Sequence, residues 1–297
     1  MQYDKQGMIA AFIAYVLWGL FPLYWKALTY VDSAEILASR VIWSFILTLI
    51  FVVILRKGHQ LIRDVKELWQ HQKTFWTLAV AAYLVTLNWF LYIWAVNHNH
   101  ILETSLGYYL NPIVSILLGI IFLKERLAKA QLVGVIIAVI GVAIMIINYG
   151  TIPYVSFGLA LSFGFYGLLK KRIQLDATRG LVIETAFVLP IALLYYAYLA
   201  IEGKMSFGMV DLNTTVLLIG GGAVTAIPLI LFAVGAQKIP LYLVGFIQYV
   251  APTMTLLLGV FVYGESFGSV EMLSFGFIWL ALIIFSVSTI VEVRKHH

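Results

Sequence analysis

Tyr109-Leu-Asn-Pro112-Ile-Val-Ser115-Ile-Leu-Leu-Gly119 and Tyr249-Val-Ala-Pro252-Thr-Met-Thr255-Leu-Leu-Leu-Gly259 are two copies of one pattern. The tyrosine, the proline, the Leu-Leu pair and the glycine recur in register, and each run is followed at the same distance by a glutamate, Glu125 and Glu265. Every matched pair is 140 positions apart, as Tyr109 and Tyr249 are. Apolar segments resemble one another by chance, but chance does not align a proline, a glycine and a glutamate together. The chain therefore carries an internal duplication.

Outward from these copies lie stretches long and apolar enough to cross a bilayer, which takes roughly 20 residues. Ten are recognised: 8–28, 34–55, 74–96, 102–123, 130–148, 154–171, 181–201, 212–236, 241–263 and 270–291. The duplicated runs fall in segments 4 and 9. Five segments separate them, an odd number, so the second copy crosses in the opposite direction. This is the inverted repeat of secondary transporters, which makes inward-open and outward-open states similar in energy. The expected fold class is an all-α integral membrane protein of ten transmembrane helices in two inverted five-helix halves, residues 1–148 and 149–297.

Composition agrees. Of 297 residues, 62% are hydrophobic and 11% charged, whereas a soluble domain carries about 25% charged residues to cover its surface. Mean hydropathy is +0.97. The net charge of +5 does not indicate nucleic acid, because the basic residues form short runs between apolar segments rather than a stripe on one domain. Sixteen of the 19 lysines and arginines fall on one side of the ten-segment topology, Lys26 and Lys204 on the other, and Arg40 within segment 2. By the positive-inside rule both termini are expected in the cytoplasm. The first segment is long for a signal sequence and lacks an A-x-A-like cleavage site, so it reads as a span. Within the connection from Arg56 to Lys73, Leu61, Ile62, Val65, Leu68 and Trp69 recur at helical spacing and predict a helix on the membrane surface. With no cysteine, disulfides, thiolate metal sites and cysteine nucleophiles are excluded.

Candidate solute-binding residues gather at the duplicated prolines. Pro112 and Pro252 each leave a carbonyl without its helical donor, predicting helix breaks that protein or cavity water must satisfy. Tyr108, Tyr109 and Asn111 lie beside the first, Gln248 and Tyr249 beside the second. Asn88 and Tyr92, four residues apart, share a helix face; Trp89 and Trp94 flank it. Trp18 and Tyr166, each followed by glycine, mark segments 1 and 6. Such aromatics and amides suit an uncharged or zwitterionic organic solute. Each also has a plainer role: kink, interhelical hydrogen bond, close packing or interfacial anchor.

Charges inside a bilayer are functional candidates. Arg40 lies roughly 10 Å from one end of its helix and Glu184 roughly 6 Å from the other membrane face, about 14 Å apart in depth. They are therefore expected not to pair, but to gate opposite faces. Glu35, Glu103 or Glu265 is the expected partner of Arg40, and the cluster of Lys170, Lys171 and Arg179 that of Glu184. Glu125 completes the candidate gating charges. No metal site or cofactor is expected, His98 and His100 being only a loop pair, and no enzyme signature is present: no His-Glu-x-x-His, phosphate loop or intramembrane aspartate pair.

Several stretches carry a resemblance to a known family. They are Asn88-Trp89-Phe-Leu-Tyr92-Ile-Trp94-Ala-Val-Asn97 with Glu103-Thr-Ser-Leu-Gly107-Tyr-Tyr-Leu-Asn-Pro112, Trp18-Gly-Leu-Phe-Pro22-Leu-Tyr-Trp25-Lys26, Ser39-Arg40-Val-Ile-Trp43-Ser44 and Tyr166-Gly-Leu-Leu-Lys170-Lys171. On these the chain resembles the drug/metabolite transporter superfamily in its two-EamA-domain form, and within it the RarD-type permeases linked to chloramphenicol sensitivity. The resemblance spans essentially the whole chain. It implies ten helices, cytoplasmic termini and a central cavity lined from both halves, and it fixes no substrate. The expected function is a multi-pass inner-membrane secondary transporter exporting an amino-acid-like metabolite or amphenicol-type drug by alternating access. Its partners are the solute and the lipid bilayer, with the proton as candidate coupling ion. A facilitative channel of the same architecture is the alternative; an intramembrane sensor or enzyme is a more distant one.

Overall fold

A computed structural model describes residues 4–97, 100–264 and 268–295, and every regular element among them is helical. Four of the five aspartates serve as helix caps, which fixes where the helices begin. Asp4 starts α1 (Lys5–Gly19) by accepting from the Gly7 amide, and Asp32 starts α3 (Ser33–Ile54) through Ala34 and Glu35. Asp176 starts α9 (Ala177–Ile201) through Arg179, and Asp211 starts α10 (Leu212–Lys238) through Thr214. Each such cap satisfies an amide that the helix itself leaves unpaired.

Between α1 and α3 the chain forms the short α2 (Phe21–Trp25) and a 3-10 turn, Lys26–Leu28. The predicted surface helix is present as α4 (Gly58–Gln70), with Leu68 buried and Ile62, Val65 and Trp69 exposed. There follow α5 (Gln72–Asn97), α6 (Ile101–Leu123), α7 (Lys129–Tyr149) and α8 (Tyr154–Arg172). After α10 come α11 (Leu241–Gln248), α12 (Val250–Phe261) and α13 (Ser269–Lys295).

Nine spans among the described residues are long and apolar enough to cross a membrane, α1 with its turn and α11 with α12 each counting as one. The tenth predicted segment is α8, which falls short of that apolarity. It packs against α5, α6 and α10, so it meets protein rather than lipid over most of its surface. Interfaces come in matched sets. Counterpart packs on counterpart in α3·α9, α6·α11 and α7·α13. Most of the other large interfaces occur in pairs: α5·α8 with α1·α10, α6·α8 with α1·α12, and α3·α10 with α5·α9. Exchanging the two halves produces this pattern.

The two prolines differ from expectation. Helix α6 runs through Pro112 without interruption, whereas the second copy does break, at Tyr249 between α11 and α12. The unbroken helix is clamped where Gly245 of α11 crosses it: a Cβ there would stand 2.8 Å from the Pro112 carbonyl oxygen.

Candidate functional site

The duplicated glycine and glutamate are explained first. The Glu125 carboxylate accepts from the amides of Leu241 at 2.7 Å and Tyr242 at 2.9 Å, capping α11 of the other half. A side chain on Gly119 would collide with that carboxylate, so the glycine makes room for the cap. A carboxylate at a helix N-terminus also complements the helix dipole. The second copy, Glu265, lies outside the described residues, as does His98.

At the end of the bundle rich in lysine and arginine, Glu184 is buried and paired with equally buried Lys170 at 2.5 Å. The Tyr166 hydroxyl donates to the other carboxylate oxygen at 3.3 Å. Glu184 therefore meets the basic cluster expected of it. Around this pair Tyr166 stacks on Phe232 at 5.7 Å, and Trp18 packs edge-on against Tyr15 and Phe163. Further links seal this end: Lys171 donates to the Ile239 carbonyl, Gln237 to the carbonyls of Ile173 and Leu175, and Arg179 pairs with Asp64 at 2.6 Å. Burial alone would raise the Asp176 carboxyl, but the Arg179 amide and the Lys57 ammonium, 3.3 Å away, outweigh it and hold the group below its ordinary value.

Toward the opposite end sits Arg40, 9% exposed. Two of its three expected carboxylate partners are corrected by the structure, Glu265 lying outside the described residues. Glu35 is occupied by the amides of Ser206 and Phe207, and Glu103 by His100, Tyr149 and the Val155 amide. Arg40 instead donates from Nε to Thr225 Oγ1 of α10 at 2.9 Å. Its guanidinium carbon lies 4.4 Å from the Trp89 ring centroid and 5.0 Å from that of Trp25. Helix α10 comes this close because Gly221 and Gly222 face α2 and α3; a Cβ on Gly222 would stand 2.5 Å from Trp43 backbone. Tyr92 and Tyr108 complete the group, with rings 5.9 Å apart and hydrogen-bonded hydroxyls within electrostatic reach of Arg40. Tyr108 is 47% exposed and Tyr92 37%. Both rings are thus accessible while the Arg40 they flank is buried.

Between the two charges lies a cavity of about 20 Å³, bordered by Thr86, Trp89, Glu184, Thr185 and Leu229. It has room for roughly one water. Trp89 thus touches Arg40 on one side and the Glu184 cavity on the other.

The remaining sequence candidates are brought elsewhere. Asn88 donates to the Leu159 carbonyl at 2.8 Å and to Ser162 Oγ at 3.0 Å, tying α5 to α8. Tyr109 packs edge-on against Phe275, and Tyr249 donates to its carbonyl at 3.4 Å. Gln248 accepts from Ser115 at 3.2 Å, and buried Asn111 has an amide oxygen without a protein partner among the described residues. Sequence reasoning undervalued Trp25 and Trp89 as flanking aromatics and missed Thr225, whose type and spacing carry no signal.

The sequence pattern of the EamA-like transporter family matches residues 5–147. A Bacillus subtilis protein named as the transporter YojE is 48% identical over 96% of this chain and 95% of its own length. Protein RarD of Escherichia coli is 42% identical, covering 98% and 97%. A Pseudomonas aeruginosa protein named chloramphenicol-sensitive protein RarD is 30% identical, covering 96% and 94%. A solved crystal structure superposes with a TM-score of 0.71 over 95% of this chain and 97% of its own, at 18% identity, which speaks to the fold.

Proposed function

Because this chain belongs to the EamA-like transporter family, in its RarD-like branch, we propose that it exports small organic solutes across the bacterial inner membrane by alternating access. The carrying observation is the asymmetry along the bundle. One end is closed by the Lys170–Glu184 pair and aromatic packing, while toward the other the Tyr92 and Tyr108 rings beside Arg40 are exposed. That is the geometry of one state in an alternating cycle. The positive-inside rule puts the closed, basic end in the cytoplasm, so this conformation is outward-facing. Residues 1–148 and 149–297 act as the two inverted halves, a reading supported by the matched interfaces and by a family match that ends at residue 147.

Glu184 is the proposed proton site. Protonating it would release Lys170 and loosen the closed end, linking proton movement to opening. Amino acids, small metabolites and amphenicols screened for thermal stabilisation of the purified protein supply a ligand, and counterflow in proteoliposomes tests its movement. The expected result is saturable uptake accelerated by unlabelled solute on the far side. Flux that never saturates and ignores far-side solute would make the protein a facilitative channel.

A further inference from the structure

We propose that Arg40 is the anchor for a carboxylate carried by the solute, an assignment that rests on the transport reading and gives it a substrate class. The first argument is a contrast. The other deeply buried charges of the described core are matched: Glu184 by Lys170, Asp64 by Arg179, Glu35 by two backbone amides, and Glu103 by a histidine, a tyrosine and an amide. Of the two buried cations among the described residues, Lys170 has a carboxylate within ion-pair distance and Arg40 has none. A guanidinium does not shed its proton to escape burial. Its cation–π contacts with Trp25 and Trp89 offset only part of the cost of an unmatched charge in a low-dielectric bundle.

The second argument is geometric. Thr225 takes Nε and fixes the plane of the group, and no protein acceptor among the described residues takes the two terminal nitrogens. Those nitrogens form the fork that matches a carboxylate with two parallel hydrogen bonds. Trp25, Trp89, Tyr92 and Tyr108 surround the guanidinium, and the two exposed tyrosines supply apolar faces for an organic body and hydroxyls for further polar groups. The charge count sets the valence. The other cations toward this end are engaged elsewhere, Lys26 resting on Tyr263 at 3.7 Å and Lys204 pairing with Glu202 at 3.2 Å, so a single positive charge faces the site. A carboxylate monoanion neutralises it, whereas a phosphate dianion would leave excess negative charge among aromatic walls.

The test uses the purified full-length protein and matched pairs of ligands: phenylacetate with phenylacetamide, L-phenylalanine with L-phenylalaninamide, and chloramphenicol as a neutral compound. Thermal stabilisation and quenching of tryptophan fluorescence report binding. The expected result is that an acid binds at least tenfold more tightly than its amide. Arg40→Lys, which keeps the charge and removes the fork, should weaken the acid about tenfold. Arg40→Gln should remove the preference for the acid altogether, and the lysine variant serves if the glutamine variant does not fold. Equal binding of acid and amide, absence of binding by both acids, or an acid affinity untouched in Arg40→Lys and Arg40→Gln would overturn the assignment. Counterflow separates this from the transport reading. An acid exchanged equally well by the wild type and by Arg40→Gln defeats the anchor and leaves transport standing. An acid that binds through Arg40 yet never exchanges defeats transport and leaves the anchor standing.

Discussion

At Glu184 and Lys170 two charges are held 2.5 Å apart with almost no exposure. Removing one leaves the other unpaired in the bundle, which costs about 3–5 kcal/mol. Lys170→Ala should therefore lower the melting temperature sharply in detergent, and Lys170→Met combined with Glu184→Met should recover most of the loss. A double variant no better than the single one would show that the pair is not the unit. Glu184→Gln keeps the shape and removes the negative charge. Proteoliposome flux in that variant is expected to lose its response to an imposed pH gradient while counterflow persists; a retained response would move the proton site elsewhere. Asn88 is different in kind. Its two hydrogen bonds to α8 predict that Asn88→Ala lowers stability by about 1 kcal/mol, seen in thermal unfolding before any ligand is added.

Helix crossings set the next level. Where α10 meets α3, the Ser44 hydroxyl donates to the Gly222 carbonyl at 3.1 Å, and no volume remains for a methyl group on that glycine. Gly222→Ala should push the helices apart at a cost of about 1–3 kcal/mol and reduce folded yield. Gly276 of α13 has nothing within 4 Å of a Cβ, so Gly276→Ala is the control and should leave the melting temperature unchanged or raised. A Gly222→Ala protein as stable as the control would mean that α10 and α3 do not meet this closely. The same reasoning reads the repeat motif as a device of elements rather than of chemistry: glycine clears the ground for a glutamate that caps a helix of the other half.

On the scale of the whole molecule, the absence of cysteine makes site-directed labelling clean. Single cysteines at residues 65, 127 and 175 are expected to react only from the cytoplasmic side, and at residues 150 and 207 only from the opposite side. A reversed result at 127 would cancel the opposed directions of α6 and the α11–α12 span. For the proposed outward-facing form, Tyr108→Cys is expected to react with a membrane-impermeant reagent from the outside, and Phe232→Cys, at a fully buried position, is not. A low pH on the cytoplasmic face should raise labelling at 232 if Glu184 protonation opens that end.

The one-dimensional pattern was enough to find nine of the spans among the described residues, the helix α4 and the separation of Arg40 from Glu184, because a bilayer acts on each segment through its own length, apolarity and flanking charge. It could not rank the polar residues inside those spans. Asn88, Gln248 and Tyr249 look like cavity groups by type, yet their neighbours turn them into ties between helices. Pro112 and Pro252 are identical in the pattern, yet only the second interrupts its helix, because clamping at Gly245 acts on the first. Arg40 seemed to need a glutamate, and tertiary structure gave both described candidates to backbone and loop groups instead. Thr225 of α10 reaches Arg40 from 185 positions away. A buried polar group is defined by which partner arrives within about 3 Å, and that is decided only when the helices pack.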